Sequence, residues 1–184
     1  MNIELHNGDI LFGDLICDEG KAIQVSTESV FTHAGIFYFK DKTKNVIEAH
    51  GTVKLTPLEE WLKKCQKKVA VARVKAPYEE IAHEASHRAL GFLGRPYNHY
   101  YEDTTEKLYC ASLIYYAFKL ANDDQEFFPM KPMDFSKAPD LWKEHFGDRV
   151  IPQGKPGLNP GFIYHSTKLR IVYDYRNILS SRGA

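Results

Sequence analysis

Short apolar runs bounded by polar or turn residues recur along the first half of this chain, and one of them alternates with the period of two that a half-buried strand requires. Gly8-Asp9-Ile10-Leu11-Phe12 follows a turn signal and reads as a short strand, and Ala22-Ile23-Gln24-Val25 as a second extended piece. His33-Ala34-Gly35-Ile36-Phe37-Tyr38-Phe39 is rich in aromatic and branched residues and predicts a longer strand. The polar turn Asp41-Lys42-Thr43-Lys44-Asn45 follows, after which Val46-Ile47-Glu48-Ala49 pairs back as its hairpin partner. Val53-Lys54-Leu55 continues after Gly51, and Val69-Ala70-Val71-Ala72-Arg73-Val74 alternates cleanly.

Helical signals interrupt this pattern. Thr56-Pro57-Leu58-Glu59 combines a capping box with proline at the first helical position, predicting a helix to about Lys64. Pro77 opens a long helix through about Leu93, closed by Gly94 and Pro96. The polar stretch from Glu102 to Lys107 reads as the entry to a further helix, with its Thr and Asp residues as candidate caps. That helix opens at Cys110, and Leu113, Ile114, Ala117, Phe118 and Ala121 form its core face. Beyond Asn122 the chain turns irregular and proline-rich, with one helix near Pro139 to His145 and a last strand from Leu169 to Tyr175. The class is α+β with a mostly antiparallel sheet packed against helices. One domain is expected over residues 1–184, with a core at about 5–120 and a C-terminal extension over 121–184 wrapped around it.

Composition narrows the functional classes. Lys plus Arg and Asp plus Glu both number 24, so no overall field draws nucleic acid or an anionic membrane. Cys17, Cys65 and Cys110 are an odd set with no CxxC pair, which argues against a disulfide framework and a cysteine-based zinc site. No stretch approaches the ~20 apolar residues of a membrane-spanning helix. The N-terminus shows no signal peptide, so the compartment is read as cytoplasmic unless a leader has been removed. The oligomeric state is not legible.

Three constellations carry chemistry. His83-Glu84-Ala85-Ser86-His87 is a literal HExxH zinc signature. Tyr78, Ala82, Ala85, Ala89 and Phe92 form the apolar stripe of that helix, however, and place both histidines on the opposite, solvated side with Glu80 and Glu84. The spacing of a third histidine is also absent, because Leu90 and Leu93 stand at the positions where Gly and His would be. The second constellation pairs Cys110 with His33 and Glu48. A cysteine in the first turn of a helix sits at the positive end of the macrodipole, which stabilises negative charge there. A thiol nucleophile needs a base, and the base needs a group that holds its tautomer. His33 and Glu48 could be that pair on adjacent strands, and Glu48 interrupts an apolar run where a buried carboxylate needs a partner. His50 is a rival for either role. The third is Gly94-Arg95-Pro96-Tyr97, a rigid turn that could hold a phenol beside the nucleophile.

Together these pieces resemble the NlpC/P60 superfamily of papain-like cysteine hydrolases, in its circularly permuted YiiX/YebB-like branch (DUF830). The resemblance runs over roughly residues 5 to 120, through Gly8–Phe12, Thr32-His33-Ala34-Gly35-Ile36, Val46-Ile47-Glu48-Ala49, Leu55-Thr56-Pro57-Leu58 with Trp61, Gly94-Arg95-Pro96-Tyr97 and Tyr109-Cys110. It implies a permuted papain-like fold, with Cys110 as nucleophile, His33 as general base, Glu48 as the orienting third member and Tyr97 beside the oxyanion. No cofactor or metal is implied. The activity implied is that of an amidase or peptidase, cleaving an amide or ester bond of a small peptide or an amino-acid-containing substrate through an acyl-enzyme. An acyl-lipid substrate stays open, since permuted relatives include lipid acyltransferases. One departure is Cys110-Ala111-Ser112-Leu113, where the family usually reads Cys-Ser-Glu-Leu. Two other classes remain, a zinc hydrolase through His83 and His87 and a non-catalytic binding module.

Overall fold

The computed structural model describes residues 3–16, 19–66 and 68–180. Cys17 lies outside them. A six-stranded antiparallel sheet organises the chain, built from β1 (Ile10–Gly13), β2 (His33–Lys40), β3 (Thr43–His50), β4 (Thr52–Pro57), β5 (Val69–Val74) and a late strand, Leu169–Asp174. Its order is β4-β3-β2-β1-β5 and then that late strand, which closes the sheet beyond β5. Ile10, Leu11 and Phe12 are all fully buried because β1 is central and covered on both faces. Leu11, Phe37, Val46 and Val71 pack against Leu58, Trp61 and Cys65 of and just after α2 (Leu58–Lys64). Ile10, Ala34, Ile36 and Ala72 pack on the opposite face against α3 (Glu79–Leu90) and α4 (Cys110–Ala121).

Several expectations are corrected. Ala22–Val25 is not extended; it lies in α1 (Gly20–Thr27). A short apolar run does not distinguish helix from strand, and here Ala22 packs against Met133, Phe135, Trp142 and Phe146 from far along the chain. The β2–β3 turn is two residues rather than five. Asp41 and Lys42 take φ of 51° and 65°, as a two-residue hairpin turn demands, and pairing resumes at once with Lys40 opposite Thr43. The capping box at Thr56 does not form: α2 has Pro57 as its N-cap and no side-chain cap bond. The long helix spans Glu79–Leu90 rather than 77–93. The Thr and Asp residues before Cys110 do not cap α4, whose N-cap is Tyr109.

After α4 the chain forms β6 (Lys131–Pro132), α5 (Pro139–Phe146), β7 (Pro156–Gly157), α6 (Pro160–Tyr164), β8 (Leu169–Asp174) and α7 (Tyr175–Ser180). No helix among the described residues is long and apolar enough to cross a membrane.

Candidate active site

His33 opens β2 and Glu48 lies on β3, the antiparallel neighbour of β2. His33 Nε2 and Glu48 Oε2 are 2.6 Å apart, with His33 3 % exposed and Glu48 1 % exposed. The strands approach this closely because position 35 is glycine. A Cβ there would come within 2.4 Å of Val46 Cγ1 and 2.9 Å of the Ile47 carbonyl. The other carboxylate oxygen, Oε1, accepts a 2.5 Å hydrogen bond from the Thr56 hydroxyl on β4. Both oxygens of a buried anion are thereby satisfied, as burial requires.

Cys110 is the first residue of α4 and 5 % exposed. Tyr109, extended at the N-cap, donates its N–H to Ser112 Oγ at 3.0 Å, and Ser112 Oγ donates to the Tyr109 carbonyl at 3.0 Å. Ser112 is the third helical residue, so its hydroxyl takes the place of the glutamate of a capping box. The departure from Cys-Ser-Glu-Leu therefore leaves the start of the helix tied. Cys110 lies close enough to the His33 ring to help raise its pKa.

The electrostatics are those of a coupled pair. Burial pulls the His33 imidazolium down, but the neighbouring Cys110 and the hydrogen-bonded Glu48 carboxylate outweigh it and raise its pKa to about 9. Burial pushes Glu48 up, yet the His33 hydrogen bond and charge, with the Thr56 hydroxyl, hold it down at about 2. The Trp61 ring lies 6.2 Å from His33 and the His50 ring 6.1 Å. His50 is half-buried, and burial holds its pKa below the ordinary value against the pull of Glu48.

Tyr97 reaches the same place by main-chain ties. Its N–H donates to the Gly51 carbonyl at 2.9 Å, and Leu108 N–H donates to the Pro96 carbonyl at 3.0 Å. Tyr97 and Cys110 both line a cleft that is open to solvent. Thr32, Tyr101 and Tyr109 form the near wall, and Met133, Phe135, Trp142, Leu158 and Phe162 the far one. The C-terminal third thus builds half of the cleft, and Tyr109 OH accepts from the Leu158 N–H at 3.3 Å across it.

Sequence reasoning missed Thr56, Tyr109 and the far wall. Strand alternation could have found Thr56: Val46 pairs with Thr56 and Glu48 with Lys54, so Thr56 is the diagonal neighbour of Glu48 on one face. His83 and His87 are exposed with ring centroids 4.9 Å apart, and neither lines the cleft. Among the described residues no three His, Cys, Asp or Glu side chains gather as a metal-binding group.

Residues 4–173 match the family described as "permuted papain-like amidase enzyme, YaeF/YiiX, C92 family", past the stretch whose motifs were legible. An uncharacterised protein of Escherichia coli strain K12, YiiX, is 28 % identical over 175 residues, spanning 90 % of this chain and 84 % of that protein. The crystal structure of yiiX from Escherichia coli O157:H7, described as a metalloprotein, superimposes with a TM-score of 0.82 at 27 % identity. That match covers 92 % of this chain and 97 % of the other.

Proposed function

The chain belongs to the permuted papain-like amidase family, YaeF/YiiX, C92, and from that membership we propose that it is a cysteine hydrolase cleaving an amide bond through a Cys110 acyl-enzyme. The observation that carries this reading is the buried chain of contacts from Cys110 through His33 to Glu48.

His33 keeps its proton up to about pH 9, so near neutrality the resting site holds an imidazolium beside the Cys110 sulfur, and it is as the thiolate that a cysteine attacks. Sγ attacks the substrate carbonyl carbon, the S–C bond forms, and the carbonyl π electrons move to oxygen. The Cys110 main-chain N–H at the helix start and the Tyr97 hydroxyl are the donors assigned to that oxyanion. The tetrahedral adduct collapses, the C–N bond breaks, and His33 gives its proton to the leaving amine. A water then loses a proton to His33 and attacks the thioester, releasing the acid and the thiolate. Glu48 holds the imidazole ring and stabilises its charge throughout.

The apolar side chains of the cleft favour a second substrate reading, an acyl-lipid whose chain lies between Phe135, Trp142 and Phe162. The solved relative from Escherichia coli O157:H7 is described as a metalloprotein. The donor set here does not fit such a centre, because His33 Nε2 and Glu48 are bonded to each other and no third ligand joins them among the described residues.

Iodoacetamide alkylation near neutral pH, read by peptide mass, tests the proposal. Cys110 should react faster than a free thiol and slow at least tenfold in His33→Ala. Cys65, whose thiol burial pushes up to about 12, is the internal control. Cys110 reacting no faster than a free thiol, with no response to His33→Ala, overturns the catalytic reading and leaves a binding module.

A further inference from the structure

We propose that Thr56 is a positioning residue of this site, aiming the Glu48 carboxylate at His33; the inference rests on the catalytic reading above. Thr56 is 2 % exposed and ends in a 2.5 Å hydrogen bond to Glu48 Oε1. An ionised carboxylate only accepts, so the Thr56 hydroxyl must be the donor and its one hydrogen is spent there. Nor is its oxygen engaged as an acceptor by the helix that follows, since α2 has no side-chain cap. Thr56 is β-branched and lies in a strand, which restricts χ1 and fixes the direction of the hydroxyl.

The geometry requires such a residue. A carboxylate anchored only through Oε2 can turn about its last bond, and the His33 contact then weakens. With Oε1 held by β4, Oε2 is fixed 2.6 Å from Nε2. The hydroxyl also favours the anionic form of Glu48. The other charged and titratable groups that reach this pair are Cys110 of α4, His50 of β3, and Lys64 and Cys65 at the end of α2, while Lys54 of β4 acts on His50. None of them is hydrogen-bonded to Glu48 Oε1.

The test is the pH profile of Cys110 alkylation in the full chain, for wild type, Thr56→Val, Thr56→Ser, Glu48→Gln and the Thr56→Val/Glu48→Gln pair. Thr56→Val should move the basic limb down by about one pH unit, as expected for a lost hydrogen bond to a charged group. Thr56→Ser, which keeps the donor, should leave the limb in place. In the Glu48→Gln background Thr56→Val should add nothing, because it acts through the charge already removed. A purely structural threonine would lower thermal stability without moving the limb. The proposal is overturned if the Thr56→Val profile superimposes on wild type, or if Thr56→Ser shifts it equally. If Thr56→Val does not fold, NMR of the wild type decides: the Thr56 hydroxyl proton must be protected from exchange, and free exchange overturns the proposal. Failure of the catalytic reading looks different, as wild-type Cys110 would then be indifferent to His33→Ala.

Discussion

Replacing Glu48 by glutamine keeps the size and shape of the side chain and removes its charge. His33 rises from 6.5 to about 9 in the folded protein, in part through Glu48. That rise corresponds to on the order of 3 kcal/mol of preference for the protonated ring. Between pH 6.5 and about 9 the folded chain holds a proton that the unfolded chain has released. Stability is therefore complete below about 6.5 and declines as pH rises toward 9. Glu48 has the opposite sign: its contribution is present above 4.5 and is lost as pH falls toward about 2. Urea unfolding at about pH 6, 7.5 and 9 should show wild type losing on the order of 3 kcal/mol across the alkaline window through this group. Glu48→Gln should lose at most about half as much, because only the Cys110 contact remains to hold the proton. The variant should also be less stable than wild type at about pH 6 and should lack the acid-side loss that belongs to Glu48. An alkaline slope in Glu48→Gln equal to that of wild type would refute the assignment of the His33 shift to this ion pair.

Two further predictions concern the frame. Gly13→Ala would bring a Cβ within 2.3 Å of Cys65 Sγ and 2.9 Å of Cys65 Cβ, an overpacking expected to cost about 1–3 kcal/mol and to lower Tm; unchanged Tm would refute the packing argument. Tyr109→Phe removes the acceptor of the buried Leu158 N–H, so about 1–2 kcal/mol of stability should be lost. Amide exchange at Leu158 should rise with it, and a Leu158 amide as protected as in wild type would contradict the role given to Tyr109.

Much of the α+β architecture was legible because it is written locally. Apolar runs between turn residues placed β1, β2 and β3, alternation placed β5, helical spacing placed the Cys110 helix, and the apolar stripe of Ala82, Ala85, Ala89 and Phe92 put His83 and His87 at the surface. The errors cluster where distant residues decide. Ala22 is helical because residues of the C-terminal third cover it. Thr56 reads as a cap until a carboxylate eight residues upstream takes its hydroxyl.

The order of strands and helices follows from the chain's own pattern, and so do the three residues worth watching, Cys110, His33 and Glu48. Period and residue type along a strand or helix are set within a few neighbours, and an interrupting glutamate or a helix-opening cysteine stands out against them. That these three side chains meet is settled only in the folded chain. So is the completion of the Glu48 hydrogen bonding by Thr56, and the building of the far wall of the cleft by residues 133–162. Those outcomes depend on strand register and on contacts between segments far apart in the chain, such as Ser26 with Trp142. The meeting then becomes chemistry against the pull of burial: Cys110 and Glu48 carry His33 up to about 9, and His33 with the Thr56 hydroxyl holds Glu48 down at about 2.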